Sequence, residues 1–371
     1  MGKRKYQISK RFPAEVEAIV DIEYHKNYDG ICVTAGSLPG SGFQPYHMPG
    51  ITIPEEIDGI TVTELRLNYP YGRGYIEAFG VKRIALFISD TAQKSMRCSA
   101  PVLCGGVQNT LESMQLIFSA TELHLDGFSS DRVTRIVFNG RVLDDPDWDY
   151  GSYNDGLFKG CRQLREVIGC FEGWYLGSGC FEDCSLLESV PSLKVKRMGD
   201  NIFKNCGSLA KVHLSNGLKS IGSRSFENCI KLEDVYIPDT VESIGVGLFC
   251  GCTSLKSVHM PNGITELGYE FFRDCIKLSK IYLPNTIMKI GACAFENCSN
   301  LQSPWIPNGL KEIGERAFAG CKSIREIWIP DSVISIGEDA FDQCTALTIK
   351  GKRGSLAEKY ANDNGFSFVP D

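Results

Sequence analysis

The chain has 371 residues, with 45 acidic against 39 basic side chains and a formal net charge of −6. An acidic balance without a clustered basic face argues against nucleic-acid binding. No apolar run approaches the roughly 18 residues that signal a membrane span, so membrane insertion is not expected.

The opening Met1-Gly2-Lys3-Arg4-Lys5 is basic but lacks the apolar stretch of a secretion leader. Glu15, Glu17 and Asp21 place charges in the next twenty residues, so this start reads as a solvated tail. Residues 12–35 hold β-rich stretches, and residues 1–45 are expected to form an N-terminal cap. From 46 to 150 the pattern is looser. Ile51-Thr52-Ile53-Pro54, with Val62 and Leu65, reads as one opened coil turning at Asp58-Gly59. Apolar pairs three apart recur at Val81/Ile84, Leu111/Met114, Val133/Ile136 and Leu164/Val167. Their starts lie 30, 22 and 31 residues apart. Divergent coils with two insertions fit this spacing. A separate small domain ending near Asp144-Asp145-Pro146-Asp147 is the other reading.

Residues 151–349 carry the dominant signal. A Phe-x-x-Cys-x-x-Leu unit recurs from Phe158 to Leu347, with cysteines at Cys161, Cys184, Cys206, Cys229, Cys252, Cys275, Cys298, Cys321 and Cys344. Seven of the eight intervals are 23 residues and one is 22. Ile324 replaces one leucine. A fixed period in this range predicts stacked coils in which like residues lie above one another. In the unit Leu232 to Cys252, Val235 and Ile237 are two apart and share one side of a short strand. Pro238 ends the strand because it lacks an N–H. Val241 and Ile244 come next, and Gly245 stands where the chain bends, a place suited to the positive φ that glycine tolerates. Gly222, Gly268, Gly291, Gly314 and Gly337 take the same place in their coils.

The string Leu-x-x-Val-x-Ile-Pro-x-x-Val-x-x-Ile-Gly-x-x-x-Phe-x-x-Cys resembles the BspA-like leucine-rich repeat of bacterial surface proteins. The fold this implies is a solenoid, a right-handed leucine-rich-repeat stack. A parallel β-sheet would line its concave face, with short second strands and 3₁₀ or helical turns on the convex side. Residues 350–371 resemble that family's closing cap. Ser355 suits the N-cap of a short helix reaching Asn364, and Gly365 suits its stop.

The nine repeated cysteines read as free, buried thiols. Equivalents in a ladder point in parallel rather than at each other, and cysteine serves as a small apolar residue. The other seven, from Cys32 to Cys293, show no spacing for zinc or redox chemistry.

One outward column stands out. Seven residues after each cysteine come His213, Tyr236, His259, Tyr282, Trp305 and Trp328, a stripe of about 24 Å at strand spacing. Lys211, Asp234, Lys280 and Glu326 flank it, with Ser257 and Ser303 between them. Exposed rings in a rigid row favour recognition, while cross-strand ring pairs also support a sheet. Both readings stand. Pro304 breaks the inward pattern beside Trp305 and cannot donate a ladder hydrogen bond. A second column, Asn216, Asp239, Asn262, Asn285, Asn308 and Asp331, suits turns better than calcium, which wants several converging oxygens.

No P-loop, nucleophile elbow or His-Glu-x-x-His is present. No catalytic residue, metal site or cofactor is expected. The sequence therefore points to a monomeric, non-catalytic recognition protein that binds a protein or glycan ligand through Tyr236, Tyr282, Trp305 and Trp328. The resemblance implies adhesion to host or matrix at the cell surface or after secretion. An intracellular scaffold in the cytoplasm is the alternative, and an enzyme with its site in residues 66–150 a remote one.

Overall fold

The computed structural model describes residues 155–190 and 192–371 with their side chains, and residues 133–137 likewise; between residues 2 and 143 it describes the strands by their backbone. Ile60–Tyr69, Arg83–Ile88, Ser113–Phe118, Val133–Leu143, Glu166–Leu176 and Ser192–Met198 lie side by side in parallel. Ahead of them Gly2–Ile8, Ala18–Asn27 and Gly30–Ala35 pair antiparallel in sequence, and the last joins Ile60–Tyr69 in parallel. The register sets Ile84 against Met114 and Ile136 against Val167. These are members of the apolar pairs read from the sequence.

From Cys161 onward the chain forms stacked coils. A clean one holds Asp234–Tyr236, a turn at Pro238, a second strand Ser243–Ile244, and a run of turns back to Cys252. Val235 and Ile237 are buried, whereas Asp234 and Tyr236 are exposed. This is the alternation that a strand imposes. Like residues do stack. Phe158, Phe181, Phe203, Phe226, Phe249, Phe272, Phe295, Phe318 and Phe341 form one column with ring centroids 5.1 to 5.6 Å apart. Each ring is fully buried, and such burial contributes about 1.5–3 kcal/mol relative to exposure. No coil alone could hide its ring, so the stack is the folding unit.

The cysteines are free and buried, and they do more than fill space. From Cys184 onward each Sγ donates to the carbonyl oxygen of the ladder phenylalanine one coil back. Cys229 reaches Phe203 at 3.2 Å, Cys252 reaches Phe226 at 3.0 Å, and Cys298 reaches Phe272 at 3.0 Å. A thiol both occupies an apolar column and adds an inter-coil bond to a carbonyl that already closes its own turn on the cysteine N–H. Burial pushes the Cys206, Cys229, Cys252, Cys275 and Cys321 thiols far up from their ordinary range.

Two expectations about the return segment need correction. Expected as a helical or 3₁₀ piece, it is instead a series of turns. Alternate N–H groups leave the coil: Arg224, Phe226 and Asn228 donate to Val246, Leu248 and Cys250 of the next coil at 2.8 to 3.0 Å. Only the intervening Glu227 and Cys229 close bonds within the turn, on Arg224 and Phe226. Splitting the donors in this way prevents a helical ladder.

The glycine column does not supply the positive φ. That conformation falls five residues and one residue before each cysteine, as at Arg224 (φ 55°) and Asn228 (φ 58°). The glycines are required by close approach. A Cβ on Gly314 would lie 2.5 Å from the Ala292 backbone nitrogen, and one on Gly291 would lie 2.8 Å from the Gly268 carbonyl carbon.

The last coil is closed by helix α1, Leu356–Asp363, and strand Ser367–Pro370. Ser355 takes the N-cap place, but its side chain makes no cap bond. Glu358 instead accepts from the Gly354 N–H at 2.6 Å. Gly365 has φ 73°, the stop signal expected there. Tyr360 and Phe366 meet Phe341 edge-on at 5.9 and 6.5 Å, ending the ring column.

Gly314→Ala should cost about 1–3 kcal/mol through overlap with the neighbouring coil, read by urea unfolding. Gly309→Ala, whose nearest atom would be Asn285 O at 3.6 Å, should be close to neutral. Equal effects would contradict the close-approach explanation. Iodoacetamide in mildly alkaline buffer should leave the ladder cysteines unmodified in the native protein and label all of them after denaturation. Burial, with nearby carboxylates, also pushes the half-buried Cys250 and Cys293 up to about 11. A raised value means less thiolate at neutral pH, so their alkylation should rise only as pH climbs toward that range. Mass spectrometry of native ladder peptides carrying the label would contradict this.

Candidate functional site

The strand face presents every residue of the aromatic column to solvent: His213, Tyr236, His259, Tyr282, Trp305 and Trp328 are all exposed. Tyr236, His259 and Trp328 end short strands and the others take the same place in their coils, next to inward neighbours such as Val235, Val258, Ile281 and Ile327, which are buried. The column is not uniform. Tyr236 and His259 stack face to face, centroids 4.4 Å apart and planes within 6°. Their strands Asp234–Tyr236 and Ser257–His259 pair in full register. The His259 imidazole also lies 3.7 Å from the Asp239 carboxylate. These two rings satisfy each other, as the sheet-support reading expects for them.

The next two rings are open. Tyr282 is 77% and Trp305 47% exposed. On this face their coils pair through an isolated bridge between these two residues rather than along a continuous strand. Pro304, beside Trp305 and buried, has no N–H to extend that bridge. Neither ring has a hydrogen bond or ring contact among the described residues. Trp328, 37% exposed, is held differently. Its Nε1 donates to both carboxylate oxygens of Asp371, at 3.0 and 3.2 Å. Asp371 in turn is fixed by its own N–H, which donates to Gly351 O.

The flanking polar groups divide in the same way. Asp234 accepts from Ser257, and Lys256 bonds Glu233 at 2.8 Å. Glu326 is paired with Lys350 at 2.7 Å and Asp331 with Lys352 at 2.9 Å. Those contacts hold the Lys256 and Lys352 amines above their ordinary range, through the hydrogen bonds to Glu233 and Asp331 first. Lys211 and Lys280 are exposed, and neither forms an ion pair with a described residue. In the Asn/Asp column, Asp239 accepts from both the N–H and the Nδ2 of Asn262, each at 3.1 Å. That contact ties one turn to the equivalent turn of the next coil.

Among the described residues Trp174 and Tyr269 are exposed rings outside the column, and Trp174, 64% exposed, stands on the long strand Glu166–Leu176. Counting from the cysteines misses it because this coil departs from the regular unit. Its register partners step from a 23-residue offset at Glu166↔Ser189 to 22 at Cys170↔Ser192. The remote enzymatic site in residues 66–150 lies outside the described side chains, apart from residues 133–137.

The chain matches the family model described as a BspA type leucine rich repeat region, in six copies over residues 151–245 and 219–348. Among curated proteins none matches. Among solved structures, a leucine-rich repeat protein from Bacteroides ovatus superposes with a TM-score of 0.55 at 20% identity, covering 97% of this chain and 100% of that one. A leucine rich cell surface protein from Faecalibacterium prausnitzii gives a TM-score of 0.37 at 18% identity, covering 94% of each chain. At these identities the first likeness supports the fold alone.

Proposed function

Because the chain belongs to the BspA-type leucine-rich-repeat family, we propose that its strand face is a recognition surface rather than an inert wall, and that the protein works by binding rather than catalysis. The repeat fold is consistent with an interaction or surface role, and no helix among the described residues is long and apolar enough to cross a membrane. The finer reading is ours. A protein or glycan partner docks along the column from His213 to Trp328, and the protein adheres to host or matrix components at the bacterial surface as a monomer. The division into a cap (1–45), divergent coils (46–150), regular coils (151–349) and a closing cap (350–371) belongs to the same proposal.

The observation that carries it is the pair Tyr282 and Trp305. Two adjacent coils, bridged at these residues, hold two large rings in water, and neither ring makes a hydrogen bond or ring contact among the described residues. Rings of this kind bury much area on binding and lose little conformational freedom. A purely structural ring column would stack throughout, as Tyr236 and His259 do.

The test is an array of matrix proteins and glycans probed with the wild-type chain and a Tyr282→Ala/Trp305→Ala double variant. Both rings are exposed, so thermal unfolding should hardly change. Capture of the ligand should fall by about tenfold or more, as expected when central anchors are removed. Undiminished capture by the double variant would exclude this face.

A further inference from the structure

We infer that the open half of the face, centred on Tyr282 and Trp305, takes an uncharged carbohydrate. This rests on the recognition reading above and assigns the ligand class to it.

The first observation is where the charges on this face are spent. In the coils before the open rings, Lys256 is tied to Glu233 and Asp234 to Ser257. In the coils after them, Lys350 is tied to Glu326 and Lys352 to Asp331. These pairs are made within the chain, so they offer a charged partner little to complement. A protein partner of ordinary stability covers about 800 Å² on each side and draws orientation from charge complementarity across that area. Here the flanks that would supply it are already neutralised.

The second observation is what surrounds the open rings. Gln302, Ser303, Asn285 and Asn308 are exposed, and their side chains make no hydrogen bond among the described residues. They are amides and hydroxyls, which both donate and accept. Sugar hydroxyls also do both, so these groups match them without burying a charge. Cations nearby without an ion pair to a described residue include Lys280 and, one coil on, Arg325, each exposed. They can donate to a hydroxyl as readily as to an anion, and four uncharged groups lie between and beside them.

The third observation is shape. Adjacent coils are about 4.8 Å apart at strand spacing, roughly the width of a pyranose ring. Tyr282 and Trp305 stand on adjacent coils, joined by their isolated bridge. Their rings do not touch each other, so each is open to a separate unit of a sugar chain lying along the stack. The apolar C–H face of a sugar covers a ring face, while its equatorial hydroxyls reach sideways to the amides. The stacked pair Tyr236/His259 has no such free face between its rings. The subsite therefore begins after His259 and is bounded at the far end by Asp371 on Trp328.

The experiment is affinity electrophoresis of the full chain in native gels containing one polysaccharide each. The neutral probes are a β-glucan, a xyloglucan, a galactomannan and a mannan. Heparin and pectin serve as acidic probes. At least one neutral polysaccharide should retard the wild-type chain, and raising the salt should not abolish it. Tyr282→Ala and Trp305→Ala should each weaken retardation by about tenfold. Trp305→Phe should retain more of it than Trp305→Ala, because a ring face remains. Ile334→Ala removes a large exposed side chain elsewhere and should leave retardation unchanged. Thermal unfolding of each variant confirms that the fold persists.

Retardation by heparin or pectin alone, lost at high salt, would overturn the assignment in favour of Lys280 and Arg325. So would no retardation by any neutral probe, or neutral retardation that survives both alanine variants. Capture of a matrix protein that still depended on Tyr282 and Trp305 would overturn the carbohydrate assignment and leave the recognition face standing. Loss of dependence on both rings in every assay would remove the two together.

Discussion

Adjacent coils touch so closely along the Gly222, Gly245, Gly291, Gly314 and Gly337 column that one added carbon would overlap the backbone of the coil before. The other regularities depend on that contact. With the backbones in contact, alternate amides of the return segment find carbonyls one coil on. The ladder phenylalanines then fall at stacking distance, and from Cys184 onward each ladder cysteine sulfur reaches a phenylalanine carbonyl one coil back. That carbonyl already accepts the cysteine N–H of its own coil, so the thiol adds a second bond, between coils, that an alanine could not make.

The same contact makes the outer surface legible. Once inward residues are locked in register, outward ones must form columns. This is why counting from the cysteines located six exposed residues on one face without any coordinates. The count also located the ends of the strands, since Pro238 and its equivalents cannot continue them. It located the closing helix to within a residue, from Ser355 to Asn364.

What the count could not supply was how each column is used. The identity of a residue does not say whether its ring will lie on its neighbour or stand free. Tyr236 and Tyr282 occupy equivalent positions, yet one is stacked on a histidine and the other is the most exposed ring of the row. The difference lies in whether adjacent strands pair fully, and that depends on contacts between coils. Glycine misled for a related reason. Its freedom at positive φ is a local property, whereas at Gly314 its use is to lack a side chain against another coil. The left-handed residues were hidden because arginine, glutamate and cysteine occupy some of those positions, as at Arg224, Glu270 and Cys293. Trp174 escaped because its coil departs from the regular unit.

The closing cap has an effect beyond protecting the last coil. Rings stacked face to face leave an attractive flat face at each end, onto which a further ring from any source could settle. Here Tyr360 and Phe366 meet Phe341 at 72° and 81° instead of lying parallel. The final strand Ser367–Pro370 carries a proline, which cannot donate to an incoming strand. Turning the last rings crosswise and removing a donor from the outermost strand deprives a second molecule of a template at this end. A protein made of self-complementary layers is thereby kept from growing into a fibre through this end.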